Sequence, residues 1–140
     1  MVKDEFMHNK RFLARYRKQK RLIDKLEDRL LEKEKSFRSL KSAQLALAPS
    51  HDGPAKTIDD KYSEIEELEG RINIKLTDAR KVRVQICEVI EELDNEKEVE
   101  VLLKYFIDDM SLEQISKSVA YSYRYVMRLY QQGVENVAIK

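Results

Sequence analysis

The chain has one cysteine, two prolines, three glycines and no tryptophan in 140 residues, and each scarcity excludes something. A lone Cys87 rules out an intramolecular disulfide, and with no export signal at the N-terminus it points to a reducing cytoplasm. Cys87 sits inside a helical pattern and reads as a small packing residue. Few prolines and glycines argue against the many turns of a β-sandwich or barrel. No apolar run approaches the roughly 20 residues that a membrane span needs, so no membrane partner is expected. His8 and His51 are isolated, and no Cys/His cluster, Gly-rich phosphate loop or nucleophile motif is present. The expectation is a protein that is not an enzyme and takes no metal or cofactor.

Charge is what the chain has in abundance: Asp, Glu, Lys and Arg make up 38% of it, the signature of long solvent-washed helices. The net charge of +1 conceals an uneven distribution. Residues 1–54 hold 14 basic and 8 acidic side chains, residues 55–93 hold 7 and 10, and residues 94–140 hold 6 and 8. Within the acidic last third the signs segregate. Between Gln114 and Val134 the only charges are Lys117, Arg124 and Arg128, a locally positive stretch of the kind that meets phosphate.

The chain breaks once, at residues 47–57 (LAPSHDGPAKT), where two prolines and a glycine cannot continue a helix. Before the break, residues 4–46 read as one long helix. Tyr16, Ile23, Leu30 and Phe37 recur every seven residues, with Phe12, Leu26 and Leu40 at offset positions. After it, Thr57 is a plausible N-cap, and a second long helix is expected over 57–92. Its apolar seam is Ile58, Tyr62, Ile65, Ile72, Leu76, Ala79, Ile86, Ile90 and Leu93. Such seams need a partner helix, and the other half of the same hairpin, antiparallel, is the cheapest one. A two-helix hairpin leaves apolar surface uncovered, so a homo-oligomer (a dimer or higher) is expected. Gly70 interrupts the second helix and marks either a close contact, a bend or nothing. The domain expectation is therefore 1–93 for oligomerisation and 94–140 as a separate unit.

Residues 94–130, DNEKEVEVLLKYFIDDMSLEQISKSVAYSYRYVMRLY, read as three short amphipathic helices. The first, over 96–107, buries Val99, Leu102, Leu103, Phe106 and Ile107. Ser111 then stands at an N-cap, and Gln114 completes a capping box; Leu112, Ile115 and Val119 share one face. A tight turn at 119–121 leads to a second cap, Ser122. The last helix turns Val126, Leu129 and Tyr130 inward and Tyr123, Arg124, Met127, Arg128 and Gln131 outward. This is the pattern of a helix-turn-helix, which lays its second helix in the DNA major groove. Arg124 and Arg128, four apart, can reach the groove together, and arginine is suited to bidentate contact with guanine. Tyr123 and Tyr125 can meet phosphates, sugars or thymine methyls, while Ser111, Gln114, Lys117 and Ser122 can meet phosphate. The stretch 10–21 (KRFLARYRKQKR) has seven basic residues and no acid; it can grip phosphates, meet an acidic partner, or form the charged face of a helix.

VLLKYFIDDMSLEQISKSV resembles region 4 of sigma-70-type RNA polymerase factors, which reads the promoter −35 element. More narrowly, YFIDDMSLEQIS followed by YSYRYVMRLY is similar to phage and prophage late-gene transcriptional regulators of the ArpU and RinA type. The resemblance covers about residues 92–131. It implies an all-α fold: a long helical hairpin or coiled coil followed by a sigma-region-4-like helix-turn-helix. It also implies regulation of transcription on double-stranded DNA in a bacterial host cytoplasm, with RNA polymerase as a second partner by analogy. Two positions depart from the family pattern. Ala120-Tyr121 replaces the usual turn glycine, and the recognition face carries tyrosine where sigma factors carry more arginine. Two alternatives stand beside this reading. A phage DNA-packaging protein similar to a small terminase subunit also joins a helix-turn-helix to oligomerising helices. A coiled-coil adaptor without DNA binding suits the acidic net charge of the last third.

Overall fold

The computed structural model describes residues 2–46 and 58–139, and these are all-α. In chain order the helices are α1 (Val2–Leu13), α2 (Arg15–Ala46), α3 (Ile58–Glu91), α4 (Glu96–Phe106), α5 (Leu112–Val119) and α6 (Tyr123–Asn136). Thr57, His51 and the rest of the 47–57 linker lie outside the described residues. The helix expected over 4–46 is divided at Ala14. Hydrogen bonding continues through the division, from Ala14 N to the Lys10 carbonyl (2.9 Å) and from Lys18 N to the Ala14 carbonyl (3.0 Å). Arg15 Nε also donates to the Phe12 carbonyl at 3.2 Å, a side-chain substitute where the ladder is disturbed.

The chain forms two compact units, Met1–Lys20 with Ala79–Lys140, and Arg21–Asp78. The second unit is an antiparallel pair made by α2 and α3. Lys33 Nζ meets Glu64 Oε2 at 3.4 Å and Lys61 Nζ donates to Ser36 Oγ at 2.7 Å, so numbers rise along one helix as they fall along the other. Ile23, Leu26, Ile65, Leu68 and Ile72 are its buried residues. Tyr62 holds its seam position only at the edge: its ring is tilted against Phe37 of α2 but 52% exposed, with Glu66 beside its hydroxyl raising the phenol pKa. Leu22, Leu31 and Ile74 are also left exposed, because two helices offer one narrow strip of mutual cover.

The first unit corrects the domain boundary expected at residue 93. Residues 1–20 and 79–93 fold together with 94–140 in one body. The physical reason is core volume. Three helices of 11, 8 and 14 residues cannot enclose Val101, Leu102, Phe106, Ile115, Val126, Leu129 and Val134 alone; Leu13, Ile86 and Ile90, each essentially without solvent contact, complete the core. Phe6 meets Tyr130 edge-on at 6.2 Å, and Phe106 stacks on the same ring at 5.9 Å. Burial, with Tyr105 adjacent, pushes the Tyr130 phenol well up. Asn9 is buried on the same face of α1, and its Nδ2 donates to the Val134 carbonyl at 2.8 Å. That carbonyl belongs to the last turn of α6, where the helix supplies no partner of its own.

Two glycines on long and short helices have opposite surroundings. A Cβ on Gly133 meets Leu102 Cδ1 at 2.9 Å and Cγ at 3.1 Å, so its bare backbone lets α6 approach α4. Leu102 is fully buried and cannot yield without disturbing the core. Around Gly70 nothing lies within 4 Å, which removes close contact within the described residues as its reason. Gly133→Ala is therefore expected to destabilise by about 1–3 kcal/mol despite better helix propensity, and Gly70→Ala to stabilise by about 0.5–1 kcal/mol. Urea unfolding of both variants checks the pair, and equal shifts in either direction would contradict it.

Candidate nucleic-acid interface

The side chains around α5 and α6 are set by local chemistry that the sequence announces. Ser111 Oγ accepts from Gln114 N at 3.1 Å while Gln114 Oε1 accepts from Ser111 N at 2.9 Å, closing the capping box. Ser122 Oγ likewise accepts from Tyr125 N at 3.1 Å and starts α6. Between the two helices Ala120 takes the left-handed conformation (φ 59°, ψ 33°), and Ser116 Oγ donates to the Tyr121 carbonyl. A left-handed alanine costs about 1 kcal/mol or more relative to glycine, which has no Cβ to clash. Ala120→Gly is expected to raise the unfolding free energy by about 1 kcal/mol and leave α5 and α6 in place, as thermal melts with circular dichroism can check.

The outward face of α6 carries Tyr123, Arg124, Met127, Arg128 and Gln131, all exposed, over an inward row of Val126, Leu129 and Tyr130. Ser111, Gln114, Lys117 and Ser122 are exposed as well, although Ser111, Gln114 and Ser122 use their side-chain oxygens in caps. Tyr125 differs from its neighbours. It is half-buried, with its ring 5.3 Å from that of Tyr121, so packing holds much of it. Arg124 and Arg128 make no salt bridge among the described residues, and no carboxylate lies in sequence between Gln114 and Val134. One face of one helix thus presents two free guanidinium groups in a carboxylate-free stretch.

The basic stretch 10–21 is partly committed inside the fold. Arg15 donates to Gln85 Oε1 at 2.8 Å and lies 4.3 Å from the centre of the Phe12 ring. Arg17 forms a hydrogen-bonded ion pair with Asp109 and stacks 4.1 Å over the Tyr105 ring. Burial works against its charge, but the Asp109 and Tyr105 contacts prevail and hold the guanidinium pKa above its ordinary value. Asp109 itself has φ 57° in the turn before α5, so Arg17 ties the start of α2 to that turn. Arg11, Lys18 and Arg21 remain exposed.

Protein-family models, curated proteins and solved structures yield no match to this chain.

Elsewhere in the same unit a cavity of about 590 Å³ is lined by Val89, Glu92, Asp94, Asn95, Glu98 and Asn136 among others. Glu98 is only 4% exposed and its Oε1 accepts from Asn136 Nδ2 at 3.2 Å; the acidic lining is unsuited to phosphate. Among the described residues no group of three or more His, Cys, Asp or Glu is placed to hold a metal ion, and no helix is long and apolar enough to cross a membrane. Burial pushes the Cys87 thiol up, which suits packing better than nucleophilic chemistry. Sequence reasoning missed Asn95, whose side chain accepts from Lys97 N at 2.9 Å and caps α4. The signal was present, since an asparagine directly before an acidic first turn is a good cap. It also missed Lys97, whose Nζ lies 5.6 and 5.7 Å from the ring centres of Tyr121 and Tyr125. That contact joins the first turn of α4 to the α5–α6 turn, and periodicity along one helix carries no trace of it.

Proposed function

We propose that the chain is a sequence-specific DNA-binding regulator of transcription, in which α5 and α6 act as a helix-turn-helix. The observation that carries this reading is the exposed face of α6, where Arg124 and Arg128 stand free in a stretch without carboxylates. In this mechanism α6 enters the major groove from its Ser122-capped end, its arginines meet base edges, and Tyr123, Met127 and Gln131 fill the groove wall. Helix α5 braces the phosphate backbone through Lys117 and its capped N-terminus. The resemblance to region 4 of sigma-70-type factors extends the proposal to late genes of phages and prophages, with RNA polymerase as a second partner. One module of this size binds weakly alone, so two or more copies act together on neighbouring half-sites. The exposed Leu22, Leu31 and Ile74 of the Arg21–Asp78 unit favour such association.

Selection from a pool of random duplex DNA at two salt concentrations tests the reading. The expected result is enrichment of one motif, with affinity falling as salt rises by about 0.9 log units per tenfold salt for each phosphate contacted. Salt-sensitive binding with no motif would replace the regulator by a packaging protein. No binding at either salt would leave the adaptor.

A further inference from the structure

We infer that Lys97, at the start of α4, is a further contact to the DNA phosphate backbone, an inference that rests on the DNA-binding reading of α5 and α6. Lys97 is exposed, and its ammonium lies 5.6 Å and 5.7 Å from the ring centres of Tyr121 and Tyr125. Those two rings belong to the turn into α6 and to its first turn. Tyr125 and Arg128 are three residues apart and so neighbours along α6, one turn from the ring that Lys97 meets. The paired rings thus hold the lysine's charged end at the turn.

Helix stability does not explain a lysine at this position. The first turn of a helix favours anions, as Glu96 and Glu98 of the same turn illustrate, and a cation there opposes the helix dipole. Nor does an ion pair: Lys97 makes none among the described residues, although Glu96 and Glu100 are exposed on the same helix and Glu98 is engaged by Asn136. The two rings are half-buried but Lys97 itself is exposed, so its ammonium remains available to a phosphate oxygen. Lys97 thus sets a positive charge at the turn between α5 and α6, contributed by a helix outside the two that define the motif.

The experiment compares the full-length protein with Lys97→Met, which keeps an unbranched apolar side chain without the charge, and Lys97→Arg, which keeps the charge. Binding to the selected duplex is measured across a salt series, with melting temperature recorded alongside. Lys97→Met is expected to bind about three- to tenfold more weakly at fixed salt, to lower the slope of log affinity against log salt by about one, and to keep the same sequence motif. Lys97→Arg is expected to restore both affinity and slope. An unchanged slope in Lys97→Met, while Arg124→Ala/Arg128→Ala abolishes the motif, would overturn the Lys97 inference alone. A lower melting temperature with no change in slope would assign Lys97 to packing and also overturn it. Absence of DNA binding by the unaltered protein would remove both readings.

Discussion

A fragment comprising only residues 94–140 is expected to show no cooperative melting transition and no DNA binding, although it contains α4, α5 and α6 entire. The buried side chains of these helices line a core closed from outside the fragment: by Leu13 from α1 and by Ile86 and Ile90 from α3. Burying three such side chains contributes roughly 5–9 kcal/mol, comparable to the whole stability of about 5–15 kcal/mol typical of a native domain. The cut also removes Asn9 from the Val134 carbonyl, Phe6 from the Tyr130 ring and Arg17 from Asp109. In the full chain, Leu13→Ala alone is expected to cost about 2–5 kcal/mol, because a fully buried leucine leaves a cavity that helices fixed by other contacts cannot fill. Circular dichroism melts of the fragment and urea titration of the variant check both expectations. A fragment that melts cooperatively would restore the boundary at residue 93.

That expectation marks where the sequence was legible and where it was not. The start sites of α5 and α6 were readable because a cap is a local event: Ser111 with Gln114, and Ser122 with its own first turn, need no information from elsewhere in the chain. The inward and outward rows of α6 were readable for a similar reason, since one period of 3.6 fixes both. The role of α1 was not. Asn9 is separated from Val134 by 125 residues, and a polar side chain on an apolar row gives no sign of which distant carbonyl it will satisfy. The continuous heptad of α2 predicts a uniform hairpin, whereas its first residues and the last turns of α3 belong to the other unit. Tyr62 keeps its place on the seam, with its ring against Phe37 of α2, yet half of it is exposed because a phenol can reach the surface. Gly133 carried no signal because the contact that requires it, Leu102 on α4, is set by helix packing rather than by its own neighbours.

The Arg124→Ala/Arg128→Ala variant is expected to lose about 100-fold or more of its affinity for the selected duplex and to retain its melting temperature. Both guanidinium groups are exposed and make no ion pair among the described residues, so their removal should change stability by no more than about 0.5 kcal/mol. A bidentate arginine–guanine pair supplies about 1–3 kcal/mol of discrimination, and two of them make the loss large. Arg124→Lys/Arg128→Lys separates two ways in which the arginines can act. Lysine keeps the charge but lacks the planar fork. If the arginines read bases, the lysine variant loses the motif while its salt dependence stays close to that of the unaltered protein. If they grip only phosphate, the lysine variant keeps both, and the alanine variant loses salt dependence by about two contacts without any change of motif. An alanine variant that still enriches the same motif with unchanged affinity would remove α6 as the reading helix. The distinction matters for the tyrosines too: with base reading confined to two arginines, Tyr123 and the half-buried Tyr125 are left to position α6 against sugar and phosphate. Packing between Tyr121 and Tyr125 already favours that role, because a ring committed to the turn cannot also follow the floor of the groove.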